Sequence, residues 1–472
     1  MSTTETKREI SNFFNTEYKE WAHSVIEERA LPSVIDGFKP AARKVIHAAN
    51  AGSLKDGKLY KLLALSGDSM KLSLYAHGDM SLNQVIINLC KSFNDNFNPL
   101  ASDSQVGTLR DPDSAGSPRY LYVQHSKWMD LIYKKDYDLL DFVFDEGQYI
   151  EPTYYLPIIP VVLCRNNIGV AVGYAMHNIS YNPVDVIDAC KEYIKTRDIQ
   201  KTNVRPYIRN IREDLWYQAP VAVKTKRGDT SSAPKMCWYN KGEWKYNVSR
   251  DKMVVTDLPY DVTYESFEKL LNKLIESGYI KSWTNMSSGE GINYEIKFIK
   301  GDLAKKVKAD KTGDQIPQKF KLIKQVPDDL FWLLNEEGKL NYFNSLYSVI
   351  KYFVKFRLEI YEQRKSKTTK HLEEKLSQNE ELIRFITLVC DNKLIINNRP
   401  KSEIKMDMDK YGLPVSLLGT SITKLTKEEI ESLKEQNEAL NNELYYIKNT
   451  TIEDMYLKDL SDLRRAIVKE FS

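Results

Sequence analysis

The sequence predicts a helix-rich, mixed α/β protein in three parts, and three observations carry that prediction. From Ile10 to about Gly147, short amphipathic helical patterns alternate with loops. From about Glu151 to Ser348, β-like runs are interleaved with an amphipathic helix. After Val349, glycine and proline become almost absent and long helical periodicity takes over. A chain of 472 residues has room for about two to four cores at roughly 100–200 residues each.

The elements follow in order. The segment EYKEWAHSVIEERALP is amphipathic and should stop at Pro32. Pro40 suits the first turn of the next helix, KPAARKVIHAAN, where its missing N–H costs nothing. A third helix is expected over Lys58 to Leu65, and a fourth from Ser81, as N-cap, through QVIINLCKSF. Short helices with intervening loops suit a helix-turn-helix or winged-helix unit, and bundles give the same pattern. In the middle third, VAVKTK, MVVTDLP and NYEIKFI read as strands, and YESFEKLLNKLIESG as a helix. The last third holds one helical pattern from Phe356 to Cys390 and a second from Lys427. In the second, Ile430, Leu433, Asn437, Leu440, Leu444 and Ile447 form an a/d seam with Asn437 as its polar register residue. Two antiparallel helices folding back through a small tip near Pro400 to Gly419 account for this pattern.

Composition narrows the function. The longest nearly unbroken apolar run, Tyr155 to Cys164, contains two prolines and falls far short of the ~20 residues a spanning helix needs. No signal-peptide pattern opens the chain, and its five dispersed cysteines form no C-x-x-C, so a reducing cytoplasm is expected. The net charge of +3 argues against a uniformly basic DNA binder. Charge is nonetheless uneven. Seven basic residues face three acids between Gly37 and Met80, and nine lysines face three aspartates between Lys297 and Lys324. From Lys424 onward, eight basic residues meet eleven acids. Two basic stretches suggest a phosphate-tracking surface, with a solvated lysine face as the alternative for the second.

Several motifs carry less than they promise. GSLKDGKL, Gly52 to Leu59, has Leu59 where a P-loop needs Ser or Thr, and a helix where it needs a strand. The pairs Asp111-x-Asp113 and Asp407-x-Asp409 have no third carboxylate beside them and read as loop charges. No histidine spacing suits zinc, so no metal site is assigned to the chain. The absence of H-x-x-R weakens a tyrosine-recombinase reading. Arg119-Tyr120 follows a Gly/Ser/Pro/Asp loop. A tyrosine can attack a phosphodiester, and a neighbouring cation favours phenolate and stabilises the phosphorane, but a packed loop tyrosine is the commoner occurrence.

A set of collinear motifs decides between these readings. SVIEERALPSVIDGFKPAARKVIHA, LYAHGDMSLNQVIINL, VGTLRDPDSAGSPRYLY and EPTYYLPIIPVVLCRNNIGVAVGYAMHNISYNP resemble, in order, successive signatures of type IIA DNA topoisomerase cleavage subunits. MVVTDLPYDV and LNEEGKLNYFNSLYSVIKYFVKFRLEIYEQRK also match, so the resemblance runs from about residue 10 to 472. It implies a winged-helix DNA-cleavage domain over 1–150, an α/β tower that bends DNA over 151–348, and coiled-coil arms with a dimerisation tip over 349–472. The implied activity is ATP-dependent breaking and rejoining of duplex DNA through a 5′-phosphotyrosyl intermediate. The alternative is a dimeric coiled-coil DNA scaffold without catalysis.

Residue by residue, the resemblance makes Tyr120 the nucleophile, with Arg119, Arg29 and His77 as catalytic companions. Lys39, Arg43, Lys44 and Arg110 would hold DNA phosphates, and Val170 would be the wedge that enters between bases. The expected partners are double-stranded DNA, a second copy of the chain, and a separate subunit that binds ATP and most of the Mg²⁺. No membrane is expected. The sequence departs from the family pattern at Tyr75, the first histidine position of H-P-H-G-D, and at Leu109, the arginine position of G-T-R. Val170 replaces isoleucine, and His177 stands where threonine is common.

Overall fold

The computed structural model describes residues 10–54, 57–221, 235–288, 291–326 and 330–471. The chain divides into two compact units, Met1–Val354 with Leu460–Ser472, and Lys355–Asp459.

In the first unit, helix Glu17–Val25 runs into a single π-helical turn, Ile26–Ala30. It ends as Leu31 becomes extended ahead of Pro32, the conformation a following proline imposes. Pro40 opens helix Pro40–Ala48 at its first turn. The third helix lies at Leu62–Leu72 instead of Lys58 to Leu65, because Tyr60 and Lys61 pair as a strand with Val123 and Tyr122. The fourth, Asp79–Cys90, starts two residues before Ser81, with Gly78 at the N-cap. That start places the Asp79 carboxylate in the first turn, where the helix dipole favours it. Tyr122–His125 also pairs with Leu100–Ala101, closing a three-stranded antiparallel sheet beside the helices. Helices backed by such a sheet make a winged-helix unit, not a bundle. Lys55, part of the first basic stretch and of the P-loop look-alike, lies outside the described residues.

One buried carboxylate organises this region. Asp36 is fully buried and accepts from Phe38 N–H at 2.9 Å, Arg43 Nε at 2.7 Å and Tyr155 N–H at 3.0 Å. Gly37 permits the turn: its φ is +66°, and a Cβ there would come within 3.0 Å of the Val162 backbone. Arg165 closes the same corner. Its guanidinium stacks 4.7 Å from the Phe38 ring and bonds Gly37 O and Asp95.

The middle of the chain contributes three more sheets. Strands Glu243–Asn247, Lys252–Asp257, Tyr294–Lys297 and Ser282–Asn285 form one, packed on helix Tyr264–Glu276. Thr263 and Ser266 close a reciprocal capping box on that helix, and Phe267, Leu271, Tyr294, Ile296 and Phe320 fill the core between. Strand Trp216–Val221 covers only the first residue of the expected VAVKTK strand, and the remainder lies outside the described residues. A separate sheet joins Asn167–Val170, Ala175–Asn178, Leu330–Leu334 and Leu340–Phe343.

In the second unit, helix Leu346–Cys390, which begins in the first, and helix Lys427–Asn449 are the expected long pair. Leu433 and Ile447 are buried on the seam, while most neighbours off it are exposed. Asn437 accepts a hydrogen bond from Asn379 Nδ2 at 2.9 Å, so the polar register residue has a polar partner. Phe385, Ile386, Leu394, Ile404, Met408 and Leu413 make a small core at the tip. The returning helix breaks at Thr450, which is extended, and resumes as Ile452–Phe471. Near the base, Tyr361 stacks 4.7 Å from Tyr456, and Asp459 accepts from Tyr361 Oη and Arg364, both at 2.7 Å.

Replacing Asp36 by Ala leaves the Arg43 guanidinium buried without its counter-ion. The expected cost is about 3–5 kcal/mol of stability, read as a lower urea midpoint for the first unit. An unchanged midpoint would contradict the role given to Asp36.

Candidate active site and nucleic-acid interface

The first unit carries an open cleft of about 840 Å³, lined among others by Arg29, Lys39, Lys44 and His77. Arg29 reaches it from the π-helical turn, which rotates the end of the preceding helix just before Pro32. His77 reaches it from the loop before Asp79–Cys90, and its ring meets that of Tyr75 edge-on at 5.4 Å. Tyr75 therefore fills the first histidine position with an aromatic contact to the second. The loop starts from a strained residue, since Leu74 has φ +48°.

The expected phosphate contacts fall into two groups. Lys39 sits on the cleft wall, where its Nζ donates to Ile168 O at 3.2 Å and burial pushes its pKa down. Arg29 and Lys39 present cations to the cleft. The others are committed inside the protein. Arg43 touches the cleft, but its guanidinium is bound to Asp36 and Phe38 O. Lys44 is shared between Ser73 O at 2.7 Å and Glu151 at 2.8 Å, and burial raises the Glu151 pKa against the pull of Lys44. Arg110 is buried against Asp257 at 2.9 Å and the carbonyls of Leu258, Pro259 and Val262. In the chain without DNA these three side chains tie segments of the fold together, and Arg43 and Lys44 also line the cleft. Glu151, Asp95 and Arg165 do not stand out in the sequence, because their partners lie 70 to 107 residues away along the chain.

Tyr120 and Arg119 do not line this cleft. They lie on a single 3₁₀ turn, Pro118–Tyr120, closed by Tyr120 N–H to Ser117 O at 2.9 Å. Tyr120 is 67% exposed, and the Arg119 guanidinium lies 5.0 Å from its ring centroid. Gly107 and Gly116 fold the preceding loop back tightly; a Cβ on Gly107 would approach Pro112 O at 2.6 Å. Val170 is 75% exposed in the hairpin Asn167–Val170/Ala175–Asn178. The opposite face of that hairpin lies against the winged-helix region: a Cβ on Gly169 would meet Ala30 O at 2.5 Å.

Among the described residues, no three His, Cys, Asp or Glu side chains converge as a metal site. Asp407 is held by Arg399 at 2.7 Å and Lys410 at 3.3 Å. The charged group recorded against the Tyr120 ring is the Arg119 guanidinium, which is no ligand for Mg²⁺. No helix among the described residues is long and apolar enough to cross a membrane.

With this geometry in view, the likenesses to known proteins are specific. The family model that describes the A subunits of DNA gyrase and topoisomerase IV matches residues 29–462. The chain belongs to that family. It is 27% identical to the DNA topoisomerase medium subunit of Enterobacteria phage T4, over 97% of this chain and 99% of that one. DNA topoisomerase 2 of Plasmodium falciparum is 28% identical over 93% of this chain, which spans 33% of that enzyme. The crystal structure of the DNA-binding, cleavage and re-ligation domain of Plasmodium falciparum topoisomerase II superposes with a TM-score of 0.83 at 25% identity, covering 98% of this chain and 64% of that one. The chain is thus a DNA-cleaving subunit of the type II topoisomerase kind, a family that acts with Mg²⁺ and ATP.

The placement of Arg110 yields a direct expectation. Arg110→Ala should lower stability by about 3–5 kcal/mol, while the salt dependence of DNA binding keeps its slope. A slope reduced by about one would restore Arg110 as a phosphate contact.

Proposed function

We propose that two copies of this chain form a DNA gate in which Tyr120 cuts each strand. The carrying observation is the display of Arg119 and Tyr120 on an exposed turn, apart from the cleft that holds Arg29 and His77. One copy offers the nucleophile, and its partner offers the phosphate-binding cleft. Tyr120 Oη attacks the scissile phosphorus, a 5′-phosphotyrosyl bond forms, and the bond to the 3′-oxygen breaks. The proton leaves Tyr120 Oη, and the departing 3′-oxygen takes up one. Arg119 lowers the cost of charge on the phosphorane. Arg29 and His77 hold phosphate oxygens as donors. Resealing is the reverse attack, so the phosphodiester's energy is conserved without a cofactor.

Lys39 contacts backbone phosphate at the cleft wall, and Val170 enters between bases to bend the duplex. The domains follow the same assignment: winged helix over 1–150, tower over 151–348, arms and dimerisation tip over 349–472. A separate subunit binds ATP and supplies most of the Mg²⁺, a reading supported by the likeness to a topoisomerase medium subunit. The complex works in the cytoplasm, a host's if the chain is phage-encoded.

The test mixes Tyr120→Phe chain with its partner subunit, Mg²⁺ and supercoiled plasmid. No covalent protein–DNA adduct should survive denaturant, while non-covalent DNA binding persists. A persistent adduct would remove Tyr120 from its role.

A further inference from the structure

The four-stranded sheet that carries Val170 has one buried face and one open face. Met176, Phe331, Leu333 and Phe343 are buried on the first. Strand pairing fixes the second: Ile168 stands opposite His177, and Trp332 opposite Tyr342, with Val170 two residues on from Ile168. Ile168 is 60% exposed and Tyr342 52%. Tyr174, in the hairpin turn, meets the Trp332 ring at 4.8 Å, and Trp332 meets the Tyr342 ring at 4.9 Å. Three aromatic rings thus run in a continuous row from the turn of the wedge hairpin to the edge strand. Ala175, opposite Val170, is small and leaves the wedge standing clear of it. His177, unexplained by the sequence, belongs to this face.

An open apolar face of this kind needs an occupant. We propose that the row Tyr174, Trp332 and Tyr342 is a ledge for the bent duplex, taking deoxyribose and unstacked base surface on the flank of the Val170 kink. Two observations select DNA. The ledge is continuous with the wedge on one sheet face, and Lys39 bonds the wedge strand at Ile168 O, placing a cation at its border. Prising a base step apart exposes apolar surface that aromatic rings cover, and such contacts tolerate any sequence because every base has a π-face. Glu336 and Glu337 occupy the turn between Leu330–Leu334 and Leu340–Phe343, two strands across from Val170, where Glu337 is paired with Lys339. This inference rests on the DNA-gate reading and adds a second contact surface to it.

The experiment uses the full chain with a short duplex labelled at both ends, reading bend by energy transfer and affinity by titration at several salt concentrations. Tyr342→Ala and Tyr174→Ala should each weaken binding about fivefold or more and lower the bend. The salt slope should stay unchanged, because no cation is lost. Tyr342→Phe should restore both readouts, since the ring and not the hydroxyl makes the contact. Val170→Ala serves as the separate measure of the wedge. If Val170→Ala loses the bend while Tyr342→Ala and Tyr174→Ala keep it, the ledge is overturned and the gate reading stands. If all three keep it, both the ledge and the wedge assignment fall. Loss in Tyr342→Phe as well would overturn the aromatic contact. Unchanged bending with an altered sedimentation coefficient in Tyr342→Ala would make the face a protein interface instead.

Discussion

The buried Asp36 carboxylate is the constraint on which the rest of the first unit depends. It joins the turn after Pro32, the start of helix Pro40–Ala48 and the extended segment at Tyr155. Arg29 lies just before the first of these segments, Lys39 caps the second, and the third leads to the hairpin Asn167–Val170/Ala175–Asn178. A buried ion pair adds little net stability against a hydrophobic replacement, yet breaking it from one side is costly. Its use here is geometric. It holds cleft residues from distant parts of the sequence in one register, and the pair Asp95–Arg165 repeats the device one layer away.

Charge distribution follows the same logic. The chain is nearly neutral overall, yet cations and anions serve different ends by position. Arg43, Lys44 and Arg110 are absorbed by carboxylates and carbonyls, so they fasten the fold. Arg29 and Lys39 remain at the cleft. The lysines between Lys297 and Lys324 are divided likewise: Lys306 and Lys324 pair with Asp302 and Asp261. Counting basic residues along the sequence therefore does not separate cations held by protein carboxylates from those without such a partner.

Much of the fold is legible in the sequence because its signals are local. Pro32 and Pro40 mark a helix end and a helix start by steric rules that need no tertiary context. The a/d period places Asn437 on the seam, and the structure supplies Asn379 opposite it. The third helix is displaced from its expected position because a two-residue strand at Tyr60 depends on pairing with a segment about sixty residues later. The fates of Arg43 and Arg110 are illegible for the same reason. Gly37 folds Asp36 back onto Arg43, and Asp257 meets Arg110 across 147 residues of sequence. The motif around Tyr120 is readable as chemistry, but its separation from the Arg29 cleft is a property of the folded chain alone.

That separation underlies the proposed gate, in which neither copy completes a cleavage site and the two exchange parts. It is tested most directly by a mixed dimer of one Tyr120→Phe chain and one Arg29→Ala chain, assembled with the partner subunit on supercoiled plasmid. If the tyrosine of one copy works with the cleft of the other, one of the two sites keeps both groups, and the plasmid is nicked on one strand. If each site is built within a single copy, both sites are defective, no nick forms, and the claim is contradicted.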